Sequence, residues 1–211
     1  MGIVPASRQA VLRRGLFLLL IAALAASLFF NIRTFLASRE QAEFRHQIMN
    51  PLEVYLDQAA TELRETIELL EQEADESLIL LGLGQAAAQT AKAEERINSS
   101  AEVLRRYYGQ SNEPMRKTML DMEGYLESLA ASYAAGARQE SNADNPLSSV
   151  ELAGELEEIR IDLEQLRIGV LDQKLDFDLH HFEENWNRVV KKRLAEAPDS
   201  GLHAIISDDY P

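Results

Sequence analysis

The chain has 211 residues, with 21 Lys and Arg, 35 Asp and Glu, a formal net charge of −14 and no Cys, a length that suits one domain with an appended segment. The missing cysteines exclude disulfides, thiolate metal sites and cysteine nucleophiles, and they favour a bacterial source. Residues 51–211 hold 15 basic and 33 acidic side chains, and because so acidic a body repels phosphate backbones, we expect no nucleic-acid partner.

The first predicted element is an apolar helix. Residues 15–32, GLFLLLIAALAASLFFNI, carry no charge, and as an α-helix they are about 27 Å long, close to the thickness of a bilayer's hydrocarbon core. The helix extends to residue 36 because an arginine at position 33 can reach the headgroups. We predict a transmembrane signal-anchor over 15–36, preceded by a short basic cytoplasmic tail over 1–14. A cleaved signal peptide is the alternative, although the apolar run continues past the small-residue sites at 23–27.

The orientation of this span is predicted from the charges on its two sides. Three arginines precede the apolar run and three follow it, so the positive-inside rule alone decides little. The N-terminal tail has no acidic residue to offset its charge, which disfavours its translocation. We therefore expect a single-pass protein of a bacterial cell membrane, with the N-terminus cytoplasmic and the larger part extracytoplasmic.

A long amphipathic helix is predicted next. Apolar residues recur at steps of three and four along residues 44–81, which is typical of one stripe of an α-helix and predicts a helix over 34–81. Asn50 and Pro51 suit an N-cap and first helical turn, or a kink within a continuous rod. Gly82-Leu83-Gly84 predicts a turn at the end of this helix.

Two shorter helices and one long one follow. They are predicted over 85–108, with Gly109 as its cap, and over 114–137. The second of these carries an apolar stripe of Met115, Met119, Met122, Leu126, Leu129 and Tyr133. After a polar loop at 136–146, Ser148 and Glu151 form a capping box that opens a helix over 149–197. Residues 198–211 are expected to be a flexible tail.

The predicted lengths suggest an all-α architecture, with a coiled-coil-like bundle domain over 37–197. The helices 34–81 and 149–197 are each about 72 Å long, and the two between them are half as long. Short connections favour an antiparallel four-helix bundle. It would continue into an elongated helical hairpin stalk in which 34–56 packs against 172–197. The residues expected to pack in this stalk, or against a second copy of it, are Phe44, Ile48, Leu179, Phe182 and Trp186.

A set of basic residues is predicted to contact the membrane surface. Its members lie beside the apolar span or at the returning end of the last helix: Arg13, Arg14, Arg33, Lys191, Lys192 and Arg193. Near anionic lipid each contributes on the order of 1 kcal/mol. The alternative for the C-terminal group is a basic last turn that complements the helix dipole.

Candidate chemistry is sparse. Glu43 with His46, and Asp178 with His181, have the three-residue spacing seen in di-iron carboxylate bundles, but they flank the apolar stripe, and solvated histidines are the preferred interpretation. The carboxylates between 62 and 76 are interpreted as a solvated helix face. No hydrolase, zinc, nucleotide or EF-hand motif is present. We therefore expect no catalytic residues, no metal, no cofactor and no enzyme.

The expected function is that of a non-enzymatic, membrane-anchored envelope protein whose helical domain binds or spaces a protein partner or a second copy. The layout of residues 1–197 is similar to the extracytoplasmic four-helix sensor modules of bacterial chemoreceptors and sensor kinases, and this resemblance implies ligand sensing through a membrane partner as the alternative. A metal-binding bundle is the third hypothesis. The sequence leaves the partner, the ligand and the pathway open.

Overall fold

The computed structural model describes residues 6–137, 147–171 and 181–210; for residues 6–14, 107 and 137 only the backbone is described. The chain divides into two compact units, residues 1–45 and 46–211. The all-α fold class is confirmed, because the described residues are helical with no strand.

The first unit contains helix α1, Ala6–Phe44. Its side chains from residue 15 to residue 40 are all exposed. The helix is long and apolar enough to span a membrane, and none of its apolar window is buried within the protein. Exposed apolar surfaces of this extent are typical of membrane-contacting or protein-interaction segments.

The second unit contains the remaining helices. After a π-helical turn at Arg45–Met49 they are α2 (Asn50–Glu71), α3 (Glu76–Ser99), α4 (Ala101–Val103), α5 (Glu113–Ala137), α6 (Ser149–Leu166), α7 (Phe182–Glu196) and α8 (Gly201–Ile206). Two further π-helical turns lie at Leu104–Tyr108 and Arg167–Leu171. Helix α2 packs against α3 and α6, and α3 packs against α5, so these four form an antiparallel bundle.

The predicted helix over 34–81 is wrong at its C-terminal end. Helix α2 stops at Glu71 and the chain turns back at residues 72–75, where Glu73 has a φ of 52°. Asp75 caps α3, because its carboxylate accepts a hydrogen bond from the Ser77 amide at 2.8 Å. An Asp at the N-cap satisfies an amide that the helix leaves without a partner.

The predicted turn at Gly82-Leu83-Gly84 is also wrong, since all three residues lie inside α3. A Cβ atom on Gly82 would lie 2.1 Å from Oγ1 of Thr66 on α2. The glycine is therefore a point of close helix approach rather than a helix end. Asn50 is not an N-cap either, because it is already helical and α2 has no side-chain cap.

Several other boundaries are confirmed. Ser148 and Glu151 form the predicted capping box, and Gly109 takes the left-handed conformation, φ 66°, at the end of the helix before it. The methionine stripe of α5 is core, since Met115, Met119 and Met122 are at most 1% exposed.

The predicted continuous helix over 149–197, and the stalk built on it, are corrected. Helix α6 and its π-helical turn end at Leu171, residues 172–180 lie outside the described part, and α7 packs back on α6. The tail predicted to be flexible instead forms α8 and a 3-10 turn, Ser207–Asp209. Leu202 and Ile206 within it are 0% and 2% exposed.

Candidate functional site

The site is the place where the C-terminal hairpin, defined here as residues 182–210, enters the bundle. Helices α5 and α6 make few direct contacts with each other, and α7 and α8 contact both of them. The hairpin therefore occupies the seam between α5 and α6. Its apolar anchors Phe182, Trp186 and Leu202 are at most 1% exposed, so hydrophobic burial holds it there.

A buried ion cluster joins the hairpin to α6. Nε of Arg193 donates to Oδ1 of Asp162 at 2.7 Å, and one terminal nitrogen donates to Oε2 of Glu158 at 2.6 Å. The other terminal nitrogen donates to Glu196 at 3.2 Å. The side chains of Arg193 and Asp162 are 9% and 7% exposed. A buried arginine needs its charge balanced and its N–H groups hydrogen-bonded, and the three carboxylates around Arg193 supply both.

His203 completes this cluster from α8. Its Nε2 atom lies 2.7 Å from Oδ2 of Asp162, and its Nδ1 atom lies 2.7 Å from the carbonyl oxygen of Ala197. Burial favours the neutral imidazole, but the hydrogen bond and charge of Asp162, helped by the Ala197 carbonyl, outweigh it and raise the pKa of His203 above its ordinary 6.5. The positive charge of Arg193 acts in the opposite direction.

Further polar contacts are made by Glu155 on α6, which bonds to α5 and to the start of α8, and by Tyr210 near the C-terminal end of the hairpin. Glu155 accepts hydrogen bonds from the Tyr125 hydroxyl at 3.0 Å and from the Gly201 amide at 3.2 Å. The Tyr210 hydroxyl lies 2.8 Å from Oγ1 of Thr118. Burial raises the pKa of Tyr210 above 10.0, although its bond to Thr118 partly offsets that effect.

A small cavity lies beside the cluster. Thr118, Asp162, Arg193 and His203 form its polar wall, and aliphatic side chains and Met122 form the rest. The space open to the centre of a water molecule is about 10 Å³, which is room for about one water. This cavity cannot take an organic ligand.

A second, open groove of about 590 Å³ lies on the surface where α4 connects to α5. Its lining is polar and includes Arg105, Gln110 and Glu113.

The predicted membrane-contact residues separate into three groups. Arg33, Lys191 and Lys192 are exposed, and their contact with lipid stays a prediction. The backbone of Arg13 and Arg14 is helical, and their side chains are not described. Arg193 is corrected: its guanidinium is committed to the ion cluster and is 8% exposed, so it is not available to a headgroup.

The structure also changes the assignment of the residues that were predicted to pack in a stalk or against a second copy. Phe182 and Trp186 are 1% and 0% exposed in the single chain, which corrects their assignment to an interface with a second copy. Phe44 and Ile48 are likewise buried, at 4% and 7%. Leu179 lies outside the described residues.

The two carboxylate–histidine pairs do not form a site in the described part of the chain. His46 is exposed, and Nδ1 of His181 lies 2.9 Å from Oε2 of Glu184. Asp178 lies outside the described residues. Among those described, no group of three or more potential metal ligands comes together.

The ion cluster was not predicted from the sequence. One signal was available: Arg193 and His203 stand at positions where the surrounding stripe is apolar, close to Val189, Val190 and Leu202. A charged residue on an apolar face indicates a buried ion pair as well as a surface patch. Its partner on α6 could not be named, because that contact depends on how the last helices turn.

Comparisons with family models, with curated proteins and with solved structures find no match to this chain. The fold and the site therefore define only the class of this protein. It is an all-α protein with an N-terminal helix of membrane-spanning length and a helical bundle in which the C-terminal hairpin fills the seam between α5 and α6.

Proposed function

We propose that this protein is a non-enzymatic, single-span membrane protein of the bacterial envelope, and that its helical unit is a protein-interaction or scaffolding module. The observation that carries the proposal is the contrast between its two units. One presents an apolar helix whose membrane-length window is exposed in the described part of the chain, while the other buries its apolar stripes and leaves a cavity for about one water at the ion cluster.

Ligand sensing receives less support than interaction. A sensor that binds its ligand between helices needs a cavity of several hundred Å³, and the seam between α5 and α6 is instead filled by the C-terminal hairpin.

Interaction is supported by the surface of α3. Leu78 and Leu81 lie one helical turn apart and are 47% and 57% exposed. Two neighbouring exposed leucines on one helix face are typical anchors for a partner helix or a second copy. The acidic balance of residues 51–211 favours a partner with a basic surface.

Anchoring is tested by alkaline carbonate extraction of native membranes. The wild type should remain in the membrane pellet. The double variant Leu20→Arg/Leu24→Arg should be extracted, because each arginine near the centre of a span costs about 2.5–3.5 kcal/mol. Leu20→Ala/Leu24→Ala is the matched control and should stay in the pellet. A wild type that is extracted completely would refute the anchor.

Orientation is tested by labelling, because the chain contains no Cys. Single-cysteine variants Ser7→Cys and Asn98→Cys place one thiol on each side of the apolar span. In intact cells a membrane-impermeant maleimide should label position 98 and spare position 7. The reverse pattern would contradict an extracytoplasmic bundle.

Interaction is tested by placing a photocrosslinking amino acid at position 81 and, as a control on the same helix, at the exposed position 95. Position 81 should give a discrete adduct in native membranes, and Leu78→Glu should reduce it. If position 81 gives no adduct, or if both positions give the same adducts, the interaction proposal on this face fails.

A further inference from the structure

Each ring nitrogen of the buried His203 faces a hydrogen-bond acceptor, but a neutral imidazole has only one N–H to donate. The Ala197 carbonyl can only accept a hydrogen bond, so Nδ1 of His203 must carry hydrogen. Asp162 faces Nε2 at 2.7 Å. If Asp162 is ionised, Nε2 must also carry hydrogen; if the imidazole is neutral, Asp162 must be protonated. In either case the pair holds one proton more than a neutral imidazole beside an ionised carboxylate.

We propose that His203 is a proton-dependent latch that holds the C-terminal hairpin in the seam between α5 and α6 and loosens it as the pH rises. Loss of the extra proton leaves two acceptors facing each other at one ring nitrogen. That site is 4% exposed at His203 and 5% exposed at Asp162, so bulk water does not reach it, and the adjoining cavity has room for about one water. The unpaired acceptor therefore loses most of its hydration.

The nearest charges act on the imidazole in opposite directions: Asp162 favours the protonated form, and Arg193 opposes it. From α6 the latch is faced by Asp162 and, through Arg193, by Glu158. From α7 it is faced by Arg193 and Glu196, and from α5 by the neutral Thr118 hydroxyl, which contacts Tyr210. With the imidazole charged, two positive groups face three carboxylates, and without that charge Arg193 alone faces all three.

The direction of the pH dependence follows from linkage. Because the pKa of His203 is raised in the folded protein, its contribution is fully present below the unfolded pKa of about 6.5 and is lost as the pH rises through the folded value. Opening of the hairpin uncovers the apolar wall of the cavity, including Met122 and Leu166.

The test is hydrogen exchange of the full chain in detergent micelles, from about pH 5.5 to about pH 9. The protection factors of peptides from α7 and α8 are divided by those of α3, which serve as the internal reference. This ratio should be constant at low pH and then fall by up to about tenfold per pH unit between the unfolded and folded pKa values of one group. His203→Gln should remove the pH dependence. His181→Gln, at an exposed histidine close to the hairpin's start, should retain it.

Three outcomes would overturn the latch. They are a flat ratio in the wild type, an unchanged slope in His203→Gln, and loss of the slope in His181→Gln. If His203→Gln does not fold, the imidazole of His203 in the wild type is titrated by NMR. A pKa above 6.5 supports the proposal, and one at or below 6.5 refutes it.

Discussion

Replacement of Arg193 by methionine tests how strongly the ion cluster stabilises the fold. Methionine retains the apolar stem and removes the charge. Removing one partner of a buried ion pair costs about 3–5 kcal/mol. We expect the lower end, about 3 kcal/mol, because Asp162 keeps His203 as a partner at 2.7 Å and because Glu158 and Glu196, with side chains 36% and 46% exposed, can be solvated by water.

Thermal unfolding followed through Trp186 measures this loss. Trp186 is the single tryptophan, and its position on α7 makes the signal specific to the helical bundle. For a unit of this size, 3 kcal/mol corresponds to a fall in Tm of about 6–12 °C. Lys192→Met is the matched control, since Lys192 is the next residue on α7 and its ion pair with Glu196 is exposed, at 61% and 46%. That change should cost at most about 0.5 kcal/mol. Equal losses in the two variants would show that burial does not strengthen the cluster.

The remaining predictions concern helix packing and the docked C-terminus. Gly82→Ala should destabilise the bundle by about 1–3 kcal/mol, because the added Cβ meets Thr66. Gly84→Ala, where the added Cβ has nothing within 4 Å, should stabilise it by about 0.5–1 kcal/mol. Urea unfolding measures both changes in the free energy of unfolding, and changes of the same sign would contradict the close contact at Gly82. Tyr210→Phe should cost about 0.5–1.5 kcal/mol, measured by the same unfolding, because its hydroxyl lies 2.8 Å from Oγ1 of Thr118 and donates to the Pro114 carbonyl at 3.2 Å. A Thr118→Val background should reduce that cost without abolishing it, since the bond to Pro114 remains, and an unchanged cost would show that the two hydroxyls are not coupled.

Local patterns in the sequence predicted that the described residues are helical and placed most of the buried faces, but they did not predict the turn at residues 72–75 or the separate helices α7 and α8. The apolar spacing that placed Met115, Met119 and Met122 in the core needs only the period of one helix, and the capping box at Ser148 involves residues three apart in sequence. The all-α bundle follows from such local signals, since each amphipathic stripe must find another to cover it.

The path of the chain between helices was harder to predict because the relevant signals compete. Gly82-Leu83-Gly84 is a stronger helix breaker than the acidic stretch around residues 72–75, yet the turn lies in the acidic stretch. The difference is tertiary: Gly82 lies against Thr66, where only a residue without a side chain fits, and Asp75 supplies the cap that opens α3. A single sequence does not distinguish a glycine that ends a helix from one that lets two helices approach.

The same limit explains why the ion cluster was missed. Arg193 stands three residues before the end of α7, where a basic residue complements the helix dipole or reaches a membrane, and both interpretations leave it exposed. Its burial follows from the packing of α7 alongside α6, which sets Arg193 against Glu158 and Asp162.

The C-terminal hairpin makes the seam between α5 and α6 different from the other seams of the bundle. The α2–α3, α3–α5 and α2–α6 seams are closed by direct helix packing, whereas this one is closed by a separate element that carries its own buried charges. Direct apolar packing is insensitive to protonation, but a seam closed through Asp162, Arg193 and His203 depends on it. If the latch loosens the hairpin as proposed, the loss of protection should therefore be confined to this seam while the other three keep theirs, and a partner that recognised the seam between α5 and α6 would compete with the protein's own C-terminus.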